Sequence, residues 1–292
     1  MKSSILRFFL GMIALGFTAT AAWAQTQAGV IKAAKVSGTV TIVGADGAQR
    51  AIHDGDTLTE TDTVVTGANS GLVLVFMNGS SVKLAANSRL LIEEFKMDPL
   101  GSDIAVSKLT KEPSVSQTKL NLAYGDMVGD VKKLNKASSY GIKTPVGAAG
   151  IRGTTFRIVF TPAVNGQPAS FTLSTAEGLV LFTGTTGAPV SVGQGSEVVV
   201  TAEVNTSTGA VSNVKVASGS ISTEASSTIK TAVTEAIKQA QDQSVFTPAE
   251  QTPAAPGSNP NAAGADAPAK NPAPPAGAIV QPVTPTVVSP SS

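Results

Sequence analysis

The chain has 292 residues, room for one or two domains, and a formal charge of +1. It contains no cysteine and a single histidine, His53, which excludes thiolate metal sites, cysteine nucleophiles, disulfide staples and histidine-pair metal centres. The near-neutral balance supplies no electrostatic reason to bind nucleic acid or an anionic membrane, and no residue cluster calls for a cofactor.

Residues 1–24 read as a secretory signal peptide. Lys2 and Arg7 form a positive start, Phe8 to Ala22 an apolar run, and Ala22-Trp23-Ala24 a small-x-small site that predicts cleavage after Ala24. Cleavage would leave a formal charge of −1. The alternative is an uncleaved anchor, which would be the chain's one membrane contact, because later apolar runs are broken by Gly, Thr, Asn or charge. The expected location is periplasmic or extracellular. An exported chain without disulfides must be held by a hydrophobic core.

Residues 25–35 read as a loose leader. Val36, Val40 and Ile42 then alternate with Ser and Thr, a period of two that predicts strand. Turns follow at Gly44–Gly47 and Asp54-Gly55-Asp56, and a short strand at Thr61–Val65. Leu72–Met77 is apolar on both faces and predicts a strand buried on both sides. Asn78-Gly79 predicts a tight type I′ hairpin into Ser80–Ala85. Leu90–Phe95 continues as a strand, residues 97–117 as a connection, and Leu120, Leu122 and Tyr124 as another strand. Further alternation covers Phe156–Phe160, Phe171–Thr175, Leu179–Phe182, Val190–Val192 and Val198–Val200. Short strands punctuated by Gly, Asn and Pro predict an all-β domain over residues 36–217.

An internal repeat lies within it. Gly38, Val40, Gly44, Gly47 and Gly55 match Gly178, Val180, Gly184, Gly187 and Gly195 at an offset of 140 residues, with Ile52 and Leu58 matching Val192 and Val198. Both segments read as one unit of strand, glycine turn, strand, glycine turn, strand, and such units can stack into a β-solenoid or β-roll. In residues 218–246, Ile229, Val233, Ile237 and Ala240 recur at helical spacing, with Ser222 or Thr223 as N-cap and Glu224 in the first turn. Residues 247–292 are rich in Pro and Ala, and this composition predicts a disordered tail.

Chemistry is sparse. His53 with Asp54 and Asp56 could form a base and its orienting carboxylate, but no nucleophile or oxyanion hole is near, and a turn is the better reading. The acidic turn lacks EF-hand spacing. Lys143 and Arg152 flank the turn-rich stretch Gly141–Phe156. They could present donors to a carboxylate or sugar acid, and Arg152 could instead brace loop carbonyls. No catalytic, metal or cofactor residues are expected.

The segment Gly141–Phe156, GIKTPVGAAGIRGTTF, resembles the signature of FecR-domain proteins through Thr144, Pro145, Gly147, Ala148, Arg152, Gly153, Thr154 and Phe156. The order of strands and turns from Gly55 to Leu90 and from Glu177 to Val198 is similar too. The resemblance covers about residues 36–200. It implies an exported all-β domain, a FecR-like β-solenoid or β-roll, with Lys143, Thr144, Pro145, Gly147, Arg152, Gly153, Thr154 and Phe156 as a structural motif open to an interaction role. Its founding members are membrane-spanning regulators that pass a periplasmic signal to a sigma factor. Here the hydrophobic stretch reads as cleavable, with no cytoplasmic anti-sigma segment before it. The first expectation is therefore a non-enzymatic secreted or periplasmic interaction or signal-sensing module with an envelope protein or glycan as partner. The alternatives are a membrane-anchored sigma regulator and a protein that binds or processes cell-wall glycan.

Overall fold

The computed structural model describes residues 26–251, apart from 165–166, 186, 205–207 and 209. The expected signal segment and most of the expected tail lie outside the described residues.

In chain order the strands are β1 (Gln27–Ala28), β2 (Ile31–Ser37), β3 (Val40–Val43), β4 (Gln49–Ala51), β5 (Thr57–Leu58), β6 (Thr63–Thr66) and β7 (Gly71–Phe76). Next come β8 (Ser81–Leu84), β9 (Arg89–Met97), β10 (Ile104–Ala105), β11 (Ser116–Asp130), β12 (Ser139–Thr144), β13 (Gly147–Ile151) and β14 (Thr155–Thr161). The series closes with β15 (Ala169–Glu177), β16 (Leu179–Gly184), β17 (Val190–Gly193), β18 (Ser196–Val204), β19 (Val211–Ser220) and β20 (Val245–Phe246).

β10 and β20 pair antiparallel as a small separate ribbon, and the other strands form two sheets. The first has the order β4-β3-β6-β9-β11-β12-β13-β16-β17, with β1 also on β9. The second has the order β5-β2-β7-β8-β11-β14-β15-β18-β19. Strand β11 belongs to both: Ser116–Tyr124 pairs in the first sheet and Gly125–Asp130 in the second. The crossing residue is Gly125, with φ +117°. A Cβ there would stand 2.2 Å from the Ser88 hydroxyl and 2.5 Å from its Cα, so only glycine fits this corner.

Phe76 of the second sheet meets Phe95 of the first edge-on at 5.1 Å, and Phe171 stacks on Phe182 at 4.7 Å. These contacts set the two sheets face to face over one continuous apolar core.

The all-β expectation holds. A solenoid is not seen among the described residues. Consecutive strands return as antiparallel hairpins, as in β3–β4, β7–β8, β12–β13 and β16–β17, whereas a solenoid advances by parallel stacking. Among the described residues only β11–β12 is a parallel strand pair. The paired ladders end at β4, β17, β5 and β19, so both sheets stay open.

The repeat at offset 140 is real in three dimensions. Thr41 pairs with Ala51 in β3–β4, and Leu181 pairs with Ser191 in β16–β17, the same register 140 residues on. Gly38, Gly47 and Gly55 have positive φ, and so do Gly178, Gly187 and Gly195. The unit also begins earlier than the glycines suggest. β2, part of the expected loose leader, stands where β15 stands in the second copy, and Ile31 is fully buried. Its run of alanines, poor strand formers, hides it from pattern reading.

The hairpin at Asn78-Gly79 forms, but not as a type I′ turn. Gly79 alone has positive φ. Asn78 is buried instead: its Oδ1 accepts from Ser80 N at 3.0 Å and its Nδ2 donates to Ser116 Oγ at 3.1 Å. These bonds hold its backbone out of the left-handed region.

One helix follows, in three continuous segments: α1 (Thr223–Thr231), a wider π-type stretch (Ala232–Ile237) and α2 (Lys238–Asp242). Ser222 caps it, its hydroxyl accepting from Ala225 N at 3.1 Å. Ala225, Ile229, Ala232, Ile237 and Ala240 are buried on the outer face of the second sheet, against β7, β8, β11, β14 and β15. This cover explains why Leu72–Met77 is buried throughout: Leu72, Leu74 and Phe76 face the first sheet, Val73 and Val75 the helix side. The chain stays packed to Gln251, whose Oε1 accepts from Leu100 N at 2.7 Å.

Candidate functional site

Apart from Lys143, the motif residues divide into three places. Thr144, Pro145 and Gly147 shape the β12–β13 turn. The Thr144 hydroxyl donates to Gly147 O at 3.0 Å. A Cβ on Gly147 would come within 2.6 Å of Thr183 O and 2.8 Å of the Phe182 ring, so glycine lets β13 pack on β16. Arg152 and Gly153 lie where the chain passes from the first sheet to the second. The Arg152 guanidinium donates to Asn135 O at 3.1 Å and Lys136 O at 3.4 Å, bracing the loop before β12. Gly153, at φ +84°, runs close to Lys133 Cα. Thr154 and Phe156 are buried, and Phe156 fills the space left by the missing side chain of Gly129.

Lys143 is elsewhere, on the outer, uncovered face of the first sheet. Its Nζ lies 2.6 Å from Glu93 Oε2. The local cause is a β-bulge. Lys119 pairs with Glu94 and Leu120 with Ile92, so Glu93 is an extra residue in β9. The bulge turns two successive carboxylates, Glu93 and Glu94, to the same face. Glu94 Oε2 meets Lys119 Nζ at 2.5 Å, Lys96 Nζ lies 3.8 Å from Glu94 Oε1, and Asn121 Nδ2 donates to Glu93 Oε1 at 3.0 Å. Burial pushes the Glu93 carboxyl up, but the bonds from Lys143 and Asn121 outweigh it and hold the group below the usual carboxylate range. The Lys119 bond does the same for Glu94, and Glu94 raises Lys119 in turn.

Beside this ion-pair cluster the face is flat and then apolar. One cross-strand row runs Lys119, Gly141, Gly150, Leu181, Ser191. Leu181 and Leu179 are about half exposed. The arrangement offers paired charges, bare backbone and apolar side chains on one surface, the composition of a binding face.

His53 is far more exposed than a catalytic base needs, at 80% of its side chain. Asp54 accepts from Val36 N at 2.7 Å and Asp56 from His53 N at 2.9 Å, so both acids brace the turn. On the opposite side of the molecule a cavity of about 480 Å³ lies between the helix and the second sheet. There Asp130 accepts from Lys132, Gln241 and Thr155.

Pattern reading singled out Lys143 and Arg152 as a pair, and the structure gives them separate tasks. It missed Glu93, Glu94, Lys119 and Asn121. The available signal was a doubled acid inside the strand LLIEEF, which breaks strict alternation.

The FecR protein family model matches residues 62–181. No curated protein matches the sequence. Two crystal structures of a candidate anti-sigma factor from Parabacteroides distasonis ATCC 8503 are similar. One has 11% identity and a TM-score of 0.38 over 54% of this chain and 59% of that one. The other has 10% identity and a TM-score of 0.40 over 59% of this chain and 64% of that one. The chain thus spans less than two thirds of the length of either.

Proposed function

We infer from the match of residues 62–181 to the FecR family model that this chain is a signalling regulator of the cell envelope, working by binding and not by catalysis. The family match carries this reading. The apolar start of the sequence supports export to the periplasm or beyond, and the uncovered face of the first sheet supports a protein or glycan partner held around Lys143, Glu93 and Leu181. The family motif then has a scaffold role: Thr144, Pro145, Gly147, Gly153 and Phe156 hold that face in shape, and Arg152 holds the loop beside it.

The test is site-specific photo-crosslinking in intact cells. A crosslinker at Leu181 or Lys143 should capture one discrete envelope partner, and a crosslinker at exposed Val164 should not. Equal capture at all three positions, or recovery of the chain in the cytoplasm, would overturn the reading. A membrane-anchored sigma regulator is the alternative within the family. N-terminal sequencing of the cell-derived protein separates the two, since a start at Gln25 excludes the anchor.

A further inference from the structure

Four strands end the two open sheets, and they are not alike. β4, β5 and β17 have four residues or fewer. β19 has ten, and among the described residues it pairs only with β18. Its other side carries a row of backbone N–H and C=O groups open to a further strand.

Long edge strands are normally blunted by Pro, by several charges or by a covering element. β19 has no Pro, one Lys and no cover from the helix, which lies over β7, β8, β11, β14 and β15. Its one blunting device is a β-bulge at Asn213, φ +51°, near its start, and the run from Val214 to Ser220 beyond it is regular. Its apolar residues also point to a missing neighbour. Val200 and Val198 are fully buried, and Val216 is paired with Val200 on the same face, yet 48% exposed. The apolar row of the second sheet therefore runs to the edge and stops uncovered.

We propose that β19 is an association edge and that its occupant is β19 of a second copy of this chain, added antiparallel about a two-fold axis through Val216. The sequence of the strand is self-complementary in this register. Val216 meets Val216, Lys215 meets Ala217, and Val214 meets Ser218, so no like charges are opposed and the exposed valine gains an apolar partner. The two second sheets become one continuous sheet. A register centred on Lys215 would set two ammonium groups opposite each other and is disfavoured.

Sedimentation of the full chain over a range of concentrations should show a monomer–dimer equilibrium. Val216→Lys should weaken the dimer at least tenfold while leaving the thermal midpoint of the monomer in place, and mixing Val216→Lys with Val216→Asp should restore association. The absence of native cysteine allows a direct check of register. Val216→Cys should form an intermolecular disulfide on mild oxidation, and Val214→Cys and Ser218→Cys should cross-link when mixed but not separately. A chain that stays monomeric throughout, a dimer indifferent to Val216→Lys, or cross-linking in another register overturns the proposal.

Discussion

At the scale of single residues, the decisive positions are those where a backbone path leaves no room for a side chain. Gly125 combines a left-handed φ with a contact at 2.2 Å, so Gly125→Ala should cost roughly 2–4 kcal/mol in chemical denaturation through strain and overpacking. Gly141 lies in a strand with nothing within 4 Å of a built Cβ, and Gly141→Ala should instead be neutral or stabilise by about 0.5 kcal/mol. The charge cluster gives a pH signature. Glu93 and Glu94 have folded pKa values below their ordinary value of about 4.3. Their contribution is complete above that value and is lost as pH falls through the depressed folded values. Lys143→Met should therefore shrink the loss of stability between neutral pH and about pH 3, by less than about 1 kcal/mol because the pair is exposed and screened. A larger acid-side loss in that variant would contradict the pairing.

At the scale of elements, β11 and the C-terminal helix do the joining. β11 is antiparallel to β9 in one sheet and to β8 and β14 in the other, and the turn at Gly125 lets one strand serve both. The helix seals the outer side of β7. Ser222→Ala should cost about 1 kcal/mol through loss of the cap. Ile237→Ala, at a fully buried position, should cost about 2–4 kcal/mol. Denaturation curves that reversed this order would show that the helix is held by its polar bonds, such as Gln241 Nε2 to Ser81 Oγ at 3.1 Å, more than by its apolar side.

At the scale of the whole molecule, the family-matched segment is smaller than the cooperative unit. Residues 62–181 include β6 to β15 but omit β2, β18 and the helix, which cover β7 and β15. A fragment of residues 62–181 should therefore show poor chemical-shift dispersion or aggregate, whereas residues 26–251 should unfold in one transition followed equally by near- and far-ultraviolet dichroism.

Much was legible in the sequence, because alternation of period two and glycines at turns are local signals. The all-β class, the repeat at offset 140, the helix with Ser222 as a cap candidate and the buried run Leu72–Met77 all come from spacing alone. Tertiary structure decided which strand lies beside which. Alternation tells which face a residue takes and says nothing about its neighbour, so the two sheets, the shared strand β11 and the open edge at β19 had to be seen. The same holds for Lys143 and Arg152. Their charges are in the sequence, but their partners, Glu93 on a bulge 50 residues upstream and the carbonyls of Asn135 and Lys136, are set by long-range packing.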